Sequence, residues 1–327
     1  MSKEVDKRVD YQLAIAESER TCLVVFERDE RRSLSRRVND DADSEEGLVM
    51  PYRGMYARKS TWNALEPDEQ ALWAVRGAAA QHPKWAFCNV SAALVHGLGV
   101  AWDSLGKLHV ASTDGNRAPS TEEVERHYIA RPSLQKIDGV LVTDLMSTAF
   151  DCLRSLPRGQ AVAVADSLLT KTGHDREWLS YCIATEFRGY KGVARALEAA
   201  SIADPRSENP GESIAREAMI SLGFAVPELQ FEIEDPLEEG RGYRVDFAWL
   251  DDSGRPIVFA ELDGYRKTCN PKYMNGRSAE RVLADERRRE SRISAYRVPV
   301  ARFSLAEAKN PFILEAILDR FGVPWAS

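Results

Sequence analysis

The chain has 327 residues, long enough for two or three domains. Its 44% hydrophobic and 29% charged residues describe a globular protein with apolar material for more than one core. The 44 Lys and Arg against 51 Asp and Glu leave a net charge of −7, which excludes nucleic-acid binding through overall basicity and turns attention to local basic faces.

No apolar run reaches the roughly 18 residues a membrane span needs, and the N-terminal MSKEVDKR lacks an apolar core of the secretory kind. The five cysteines (Cys22, Cys88, Cys152, Cys182, Cys269) form no C-x-x-C pair. A cytoplasmic protein with no membrane partner, no disulfide framework and no structural zinc is expected.

In chain order, Val9 to Glu19 is predicted as a short helix, with Val9, Leu13 and Ala16 on one side. Thr21 to Phe26 is apolar enough for a strand or the start of a buried helix. Arg28 to Arg37 is basic and helix-compatible, with Arg31, Arg32, Arg36 and Arg37 inside it. The acidic run Asn39 to Glu46 is expected as a loop, and Gly47 to Ala57 as two short strands around Pro51 and Gly54. A helix, a basic helix and a small hairpin follow the order of a winged helix. In that arrangement the four arginines are candidate contacts to duplex DNA, the basic helix lying in the major groove. The plainer alternative is a solvated, ion-paired helix face.

Residues 61–202 are expected as a mixed α/β middle domain. Helices are predicted at Pro67 to Gln81 and Asn89 to Leu98, and short strands at Lys107 to Ala111, Glu125 to Ala130 and Val140 to Thr143. Helices return at Ser147 to Leu156, at Gly159 to Thr170, and once more up to Ala200. The five histidines all lie in this segment, without a metal-ligand spacing, and are read as core or surface residues. The polar run Ala203 to Gly211, with two prolines and a glycine, marks a boundary.

Beyond it, Gly211 to Leu222 is predicted as a helix stopped by Gly223. Tyr243 to Leu250 and Ile257 to Asp263 form a hairpin. A turn centred on Ser253-Gly254 sets Asp246 opposite Glu261, about 4.5–5.5 Å apart at Cβ. Asp263 follows two positions on, toward the same face. Carboxylates so crowded raise one another's pKa, and a hard divalent cation relieves the cost. Lys267 stands close by to supply positive charge to a phosphoryl transition state.

These residues carry a resemblance. Glu208 to Gly322 resembles the PD-(D/E)XK nuclease superfamily, in the branch similar to very-short-patch-repair endonucleases. The resemblance implies a restriction-endonuclease-like αβββαβ domain over 203–327. It implies Glu212 as the helix acid, Asp246 and Glu261 as ligands of Mg²⁺ or Mn²⁺, a following helix over Ser278 to Ser294, and a closing strand from Tyr296 to Phe303. The position where the superfamily carries its lysine is Asp263 here, so the motif reads E-x-D-G and the lysine appears only at Lys267. No histidine occurs from Asp204 onward, another departure from the very-short-patch-repair enzymes proper. Further forward, Tyr52-Arg-Gly-Met-Tyr-Ala57 followed by Ser91 to Leu98 is similar to the AbiEi-type antitoxin and regulator family, which joins a winged helix to a larger α/β domain.

The expected whole is an α/β (α+β), multidomain protein: a winged helix over 1–60, a middle domain over 61–202 and the nuclease-like domain over 203–327. The expected activity is metal-dependent DNA cleavage, with Asp246, Glu261, Asp263, Glu212 and Lys267 at the site. Arg281, Arg287 and Arg288 are further candidate contacts to the DNA backbone. A homodimer and a cognate toxin are candidate partners. The alternatives are a regulator or antitoxin whose nuclease-like domain only binds, and an interaction module without nucleic acid.

Overall fold

The computed structural model describes residues 3–40, 47–113, 118–235, 237–238, 240, 242–263 and 278–326. It is a mixed α/β, multidomain fold. Two compact units divide the chain, Met1–Leu156 and Pro157–Ser327.

The first unit begins with α1 (Lys3–Ser18), which buries Val9, Leu13 and Ala16, the stripe its spacing predicts. Next come β1 (Leu23–Val24), α2 (Arg28–Asp40) and the hairpin β2 (Leu48–Tyr52) and β3 (Met55–Arg58). The strands lie in the order β1-β3-β2. The Thr21–Phe26 segment, ambiguous by periodicity, thus contributes an edge strand. The α1 stripe packs with Leu34 of α2 and with Leu23, Leu48 and Tyr56 of the sheet. Gly54 turns the hairpin at φ +78°, a conformation that favours glycine.

After α3 (Lys59–Ala64), α4 (Pro67–Gln81) starts on a proline with a reciprocal Glu66–Glu69 capping box. The rest of the unit is α5 (Asn89–Val95), β4 (Leu108–Ser112), β5 (Val124–Tyr128), β6 (Leu134–Ile137), β7 (Val140–Thr143) and α6 (Leu145–Ser155). The strand β6 adds to the three expected. Strands β4 and β5 run parallel, β6 and β7 antiparallel, and fully buried Phe87 bridges to Val110 on one side and Val142 on the other.

The second unit runs through α7 (Arg158–Thr172), α8 (Arg176–Glu186), α9 (Val193–Ser201) and α10 (Pro210–Ser221). It continues as β8 (Glu228–Glu234), β9 (Gly242–Leu250), β10 (Pro256–Leu262), α11 (Ala279–Ser294), β11 (Val300–Phe303), α12 (Leu305–Ala308) and α13 (Pro311–Phe321). The sheet order is β11-β10-β9-β8, with β11 parallel to β10 and the other pairs antiparallel. Val258 and Ala260 of β10 join a core with Met219 of α10 and Leu314 of α13, while Phe259 between them packs with Ile293 of α11. That alternation is the period-two signature of a strand buried on both faces.

The expected boundary at 202/203 falls inside this unit. Across it, Arg216 of α10 pairs with Asp166 of α7 at 2.6 Å, both side chains only 2% exposed. Asp166 also accepts the Asp204 backbone N–H at 2.7 Å, and Arg216 donates to the Ile202 carbonyl. The polar 203–211 run is a bend between packed helices, because an arginine so deeply buried requires its carboxylate from α7.

Candidate functional site

The β9–β10 hairpin turns at Asp251-Asp-Ser-Gly254, where the Asp251 carboxylate accepts the N–H groups of Ser253 and Arg255, each at 2.9 Å. After an irregularity between Pro256 and Val258, the ladder pairs Val258 with Trp249, Phe259 with Ala248, and Ala260 with Phe247. One step further, the same register sets Glu261 against Asp246. There the backbone ladder stops, and the Asp246 carboxylate accepts the Leu262 N–H at 2.9 Å. Asp246 therefore marks the point where the two strands part.

Glu261 is 5% exposed and carries two arginines. Arg289 of α11 donates to one of its oxygens, and Arg302 of β11 lies 2.8 Å from the other. Arg302 is Glu261's partner in the parallel β10–β11 register, and it also pairs with Glu290. Arg289 reaches the Arg244 carbonyl at 2.7 Å as well. Burial pushes the Glu261 carboxyl above its ordinary value. The two guanidinium groups pull it back, and the charge of Asp246 pushes it further up.

Glu212 sits in the first turn of α10, 4% exposed. Its oxygens accept the Glu208 backbone N–H at 2.7 Å, the Asn209 amide at 2.5 Å and the Gln230 amide at 3.1 Å. Burial pushes its carboxyl up to about 7, against the pull of the Glu208 N–H, and the charge of Asp246 adds to the rise. Asp246 thus acts electrostatically on both buried acids, and the three belong to one field.

Asp263 is exposed just past β10, its backbone N–H donating to the Phe303 carbonyl at 2.9 Å. Lys267 lies outside the described residues. Arg281, Arg287 and Arg288 are exposed on α11. The arginines that pair with Glu261 are Arg289 and Arg302, which the sequence reading did not single out. Arg289 precedes buried Ile293 by one helical turn, a spacing that signals the inward face of α11.

In the first unit, Arg36 and Arg37 of α2 are paired with α1, Arg36 with Asp6 at 3.7 Å and Arg37 with Asp10 at 2.8 Å. Arg31 and Arg32 are exposed, and Arg31 donates to the Phe26 carbonyl at 2.8 Å. Linear spacing also hid a histidine pair. Parallel pairing of β4 and β5 brings His109 Nδ1 and His127 Nε2 to 2.8 Å.

Among the described residues, no group of three or more His, Cys, Asp or Glu side chains is gathered closely enough to hold a metal ion. The pair Asp246 and Glu261 offers oxygen donors alone, and the charge of Asp246 raises the carboxyls of both Glu212 and Glu261. This donor chemistry fits a hard cation such as Mg²⁺, which is commonly held by one or two carboxylates and keeps several waters.

A scan against protein-family models gives no match. The chain is 33% identical over 205 residues to uncharacterized protein Rv2248 of Mycobacterium tuberculosis (strain ATCC 25618 / H37Rv), an alignment covering 63% of this chain and 71% of that protein. Uncharacterized protein MT2308 of Mycobacterium tuberculosis (strain CDC 1551 / Oshkosh) is similar to the same extent.

Proposed function

We propose, for a chain that belongs to the same family as these two mycobacterial proteins, a divalent-cation-dependent nuclease that hydrolyses phosphodiester bonds of DNA in its second unit. The observation that carries this reading is Asp246 at the parting of β9 and β10, opposing the ionisation of two buried acids, Glu261 and Glu212. The element order α10-β8-β9-β10-α11-β11 also agrees with what the PD-(D/E)XK resemblance implies.

Asp246 and Glu261 would hold Mg²⁺ or Mn²⁺. When bound, the cation supplies a water of lowered pKa and a Lewis acid for the phosphoryl oxygen. Glu212, poised at about 7, can take or release a proton near neutral pH at little cost. Arg289 and Arg302 bring positive charge beside the acids, where an anionic transition state is stabilised. They fill the electrostatic role that the E-x-D-G motif leaves without a lysine at Asp263. The exposed Arg281, Arg287 and Arg288 are suited to backbone phosphates.

The test is plasmid cleavage by the full chain with Mg²⁺ or Mn²⁺. Nicking or cutting is expected, and Asp246→Ala and Glu261→Ala are each expected to reduce it to background. Cleavage that survives both substitutions overturns the site assignment.

A second reading rests on one observation. Glu261 is already compensated by two arginines, as it would be in a domain that only binds. Such a protein would be a DNA-binding regulator or antitoxin. Tight, salt-dependent binding to a defined duplex, without cleavage in either metal, would favour it.

A further inference from the structure

A cavity of about 730 Å³ opens in the first unit between α2, the β2–β3 hairpin, the C-terminal end of α4 and the strands β4 and β5. That volume is within the range of small-molecule sites, roughly 300–1,000 Å³. Its floor is apolar, with Met55, Leu108 and Val124. Its remaining lining is divided by chemistry.

Two arginines, Arg31 and Arg53, line it, and both residues are exposed. Among the described residues neither is ion-paired, whereas Arg36 and Arg37 of the same helix as Arg31 are engaged by Asp6 and Asp10. Beside them stand Phe26, 66% exposed, and Met50, 45% exposed. Arg31 donates to the Phe26 carbonyl, which places its guanidinium beside the Phe26 backbone. His82 and Trp85 also line the cavity. His82 stacks on Trp85 with ring centroids 3.8 Å apart, and the Arg126 guanidinium lies 5.1 Å from the Trp85 ring. Glu123 also lines the cavity and supplies a carboxylate acceptor.

We infer that this cavity is a nucleotide site. A planar heterocycle lies against Phe26 and Met50, its phosphate meets Arg31 and Arg53, and Glu123 accepts from an amino group on the ring. Charge complementarity sets the phosphate end, since a planar guanidinium fork matches phosphate oxygens. Exposed aromatic and thioether surface suits the ring end, because base stacking tolerates any base. The same chemistry is offered by a free mononucleotide and by an unpaired nucleotide of a strand. The site is independent of the acidic site in the second unit.

The test uses the full chain without added metal. Calorimetry follows AMP, dAMP and TMP, and fluorescence anisotropy follows a labelled single strand and the matching duplex. Saturable binding of a mononucleotide or of the single strand is expected. The Arg31→Ala/Arg53→Ala double variant should weaken it about 10-fold or more with an unchanged melting temperature. Phe26→Ala, at an exposed position, should weaken it as well. Glu123→Gln should weaken adenine ligands more than thymine ligands. Mononucleotide binding that competes with the strand assigns the free nucleotide as occupant, and binding of the strand alone assigns the unpaired nucleotide. No binding of either, binding of duplex only, or affinity indifferent to the double variant overturns the proposal.

Discussion

His109 and His127 hydrogen-bond ring to ring on neighbouring parallel strands, and burial followed by the neighbouring imidazole holds His109 down at about 4. The folded state therefore binds fewer protons than the unfolded chain between pH 6.5 and about 4. Its contribution to stability is complete above pH 6.5 and is lost as the pH falls through that window, by about 3 kcal/mol. Urea denaturation across pH 4 to 7 should show this slope, and His109→Gln should flatten it. An unchanged slope would show that the imidazole titrates elsewhere. Asp166 gives a second residue-scale expectation. Removing it strands the Arg216 guanidinium in the core, so Asp166→Ala should cost about 3–5 kcal/mol in denaturant unfolding. Adding Arg216→Met should recover part of that loss, because a methionine asks for no counter-charge.

At the scale of elements, α10 is the support of the acidic site. Its N-cap Asn209 accepts the N–H groups of Gly211 and Glu212 and donates to the Glu212 carboxylate. Asn209→Ala should cost about 1 kcal/mol in thermal denaturation. Gly211 is closely packed. A Cβ there would meet Leu262 Cδ2 at 2.9 Å and the Asn209 side-chain oxygen at 3.0 Å. Gly211→Ala should accordingly lower the melting temperature, and a variant as stable as the parent would show that the α10 start can yield.

The hairpin was legible in the sequence because strand alternation and the Ser253-Gly254 turn leave little freedom of register. They set Asp246 against Glu261, the pairing that the ladder leads up to. The arginines on Glu261 were harder to see. Nine Lys and Arg crowd the stretch from Arg266 to Arg292, and charge alone does not say which of them turns inward. Only the phase of Ile293, or the parallel register through Arg302, distinguishes them. The histidine pair was invisible for a related reason, since spacing along the chain carries no information about residues joined across two parallel strands.

For the whole molecule, composition gave a globular chain with apolar material for more than one core and the order of predicted elements a mixed α/β fold, and among the described residues no helix is long and apolar enough to cross a membrane. The unit boundary was misleading in composition. The prolines and glycine of 203–211 read as a linker, yet what decides a unit is burial across the bend, and α7 packs on α10 there. A fragment over 157–327 should consequently unfold cooperatively on its own. A fragment over 203–327 should be less stable by several kcal/mol, or fail to fold, in the same circular-dichroism melt. Equal stability of the two would mean that α7–α9 contribute nothing to the second core.

The buried pair between α7 and α10 has a consequence for inheritance. If the acidic sheet has moved between chains as a module, recombination just ahead of α10 would have left an arginine charge in the core with no acid to meet it. The heritable piece is the longer one, with its three leading helices attached. Relatives that keep the arginine of α10 but join it to a different preceding segment should carry an acid in that segment at the place Asp166 holds here.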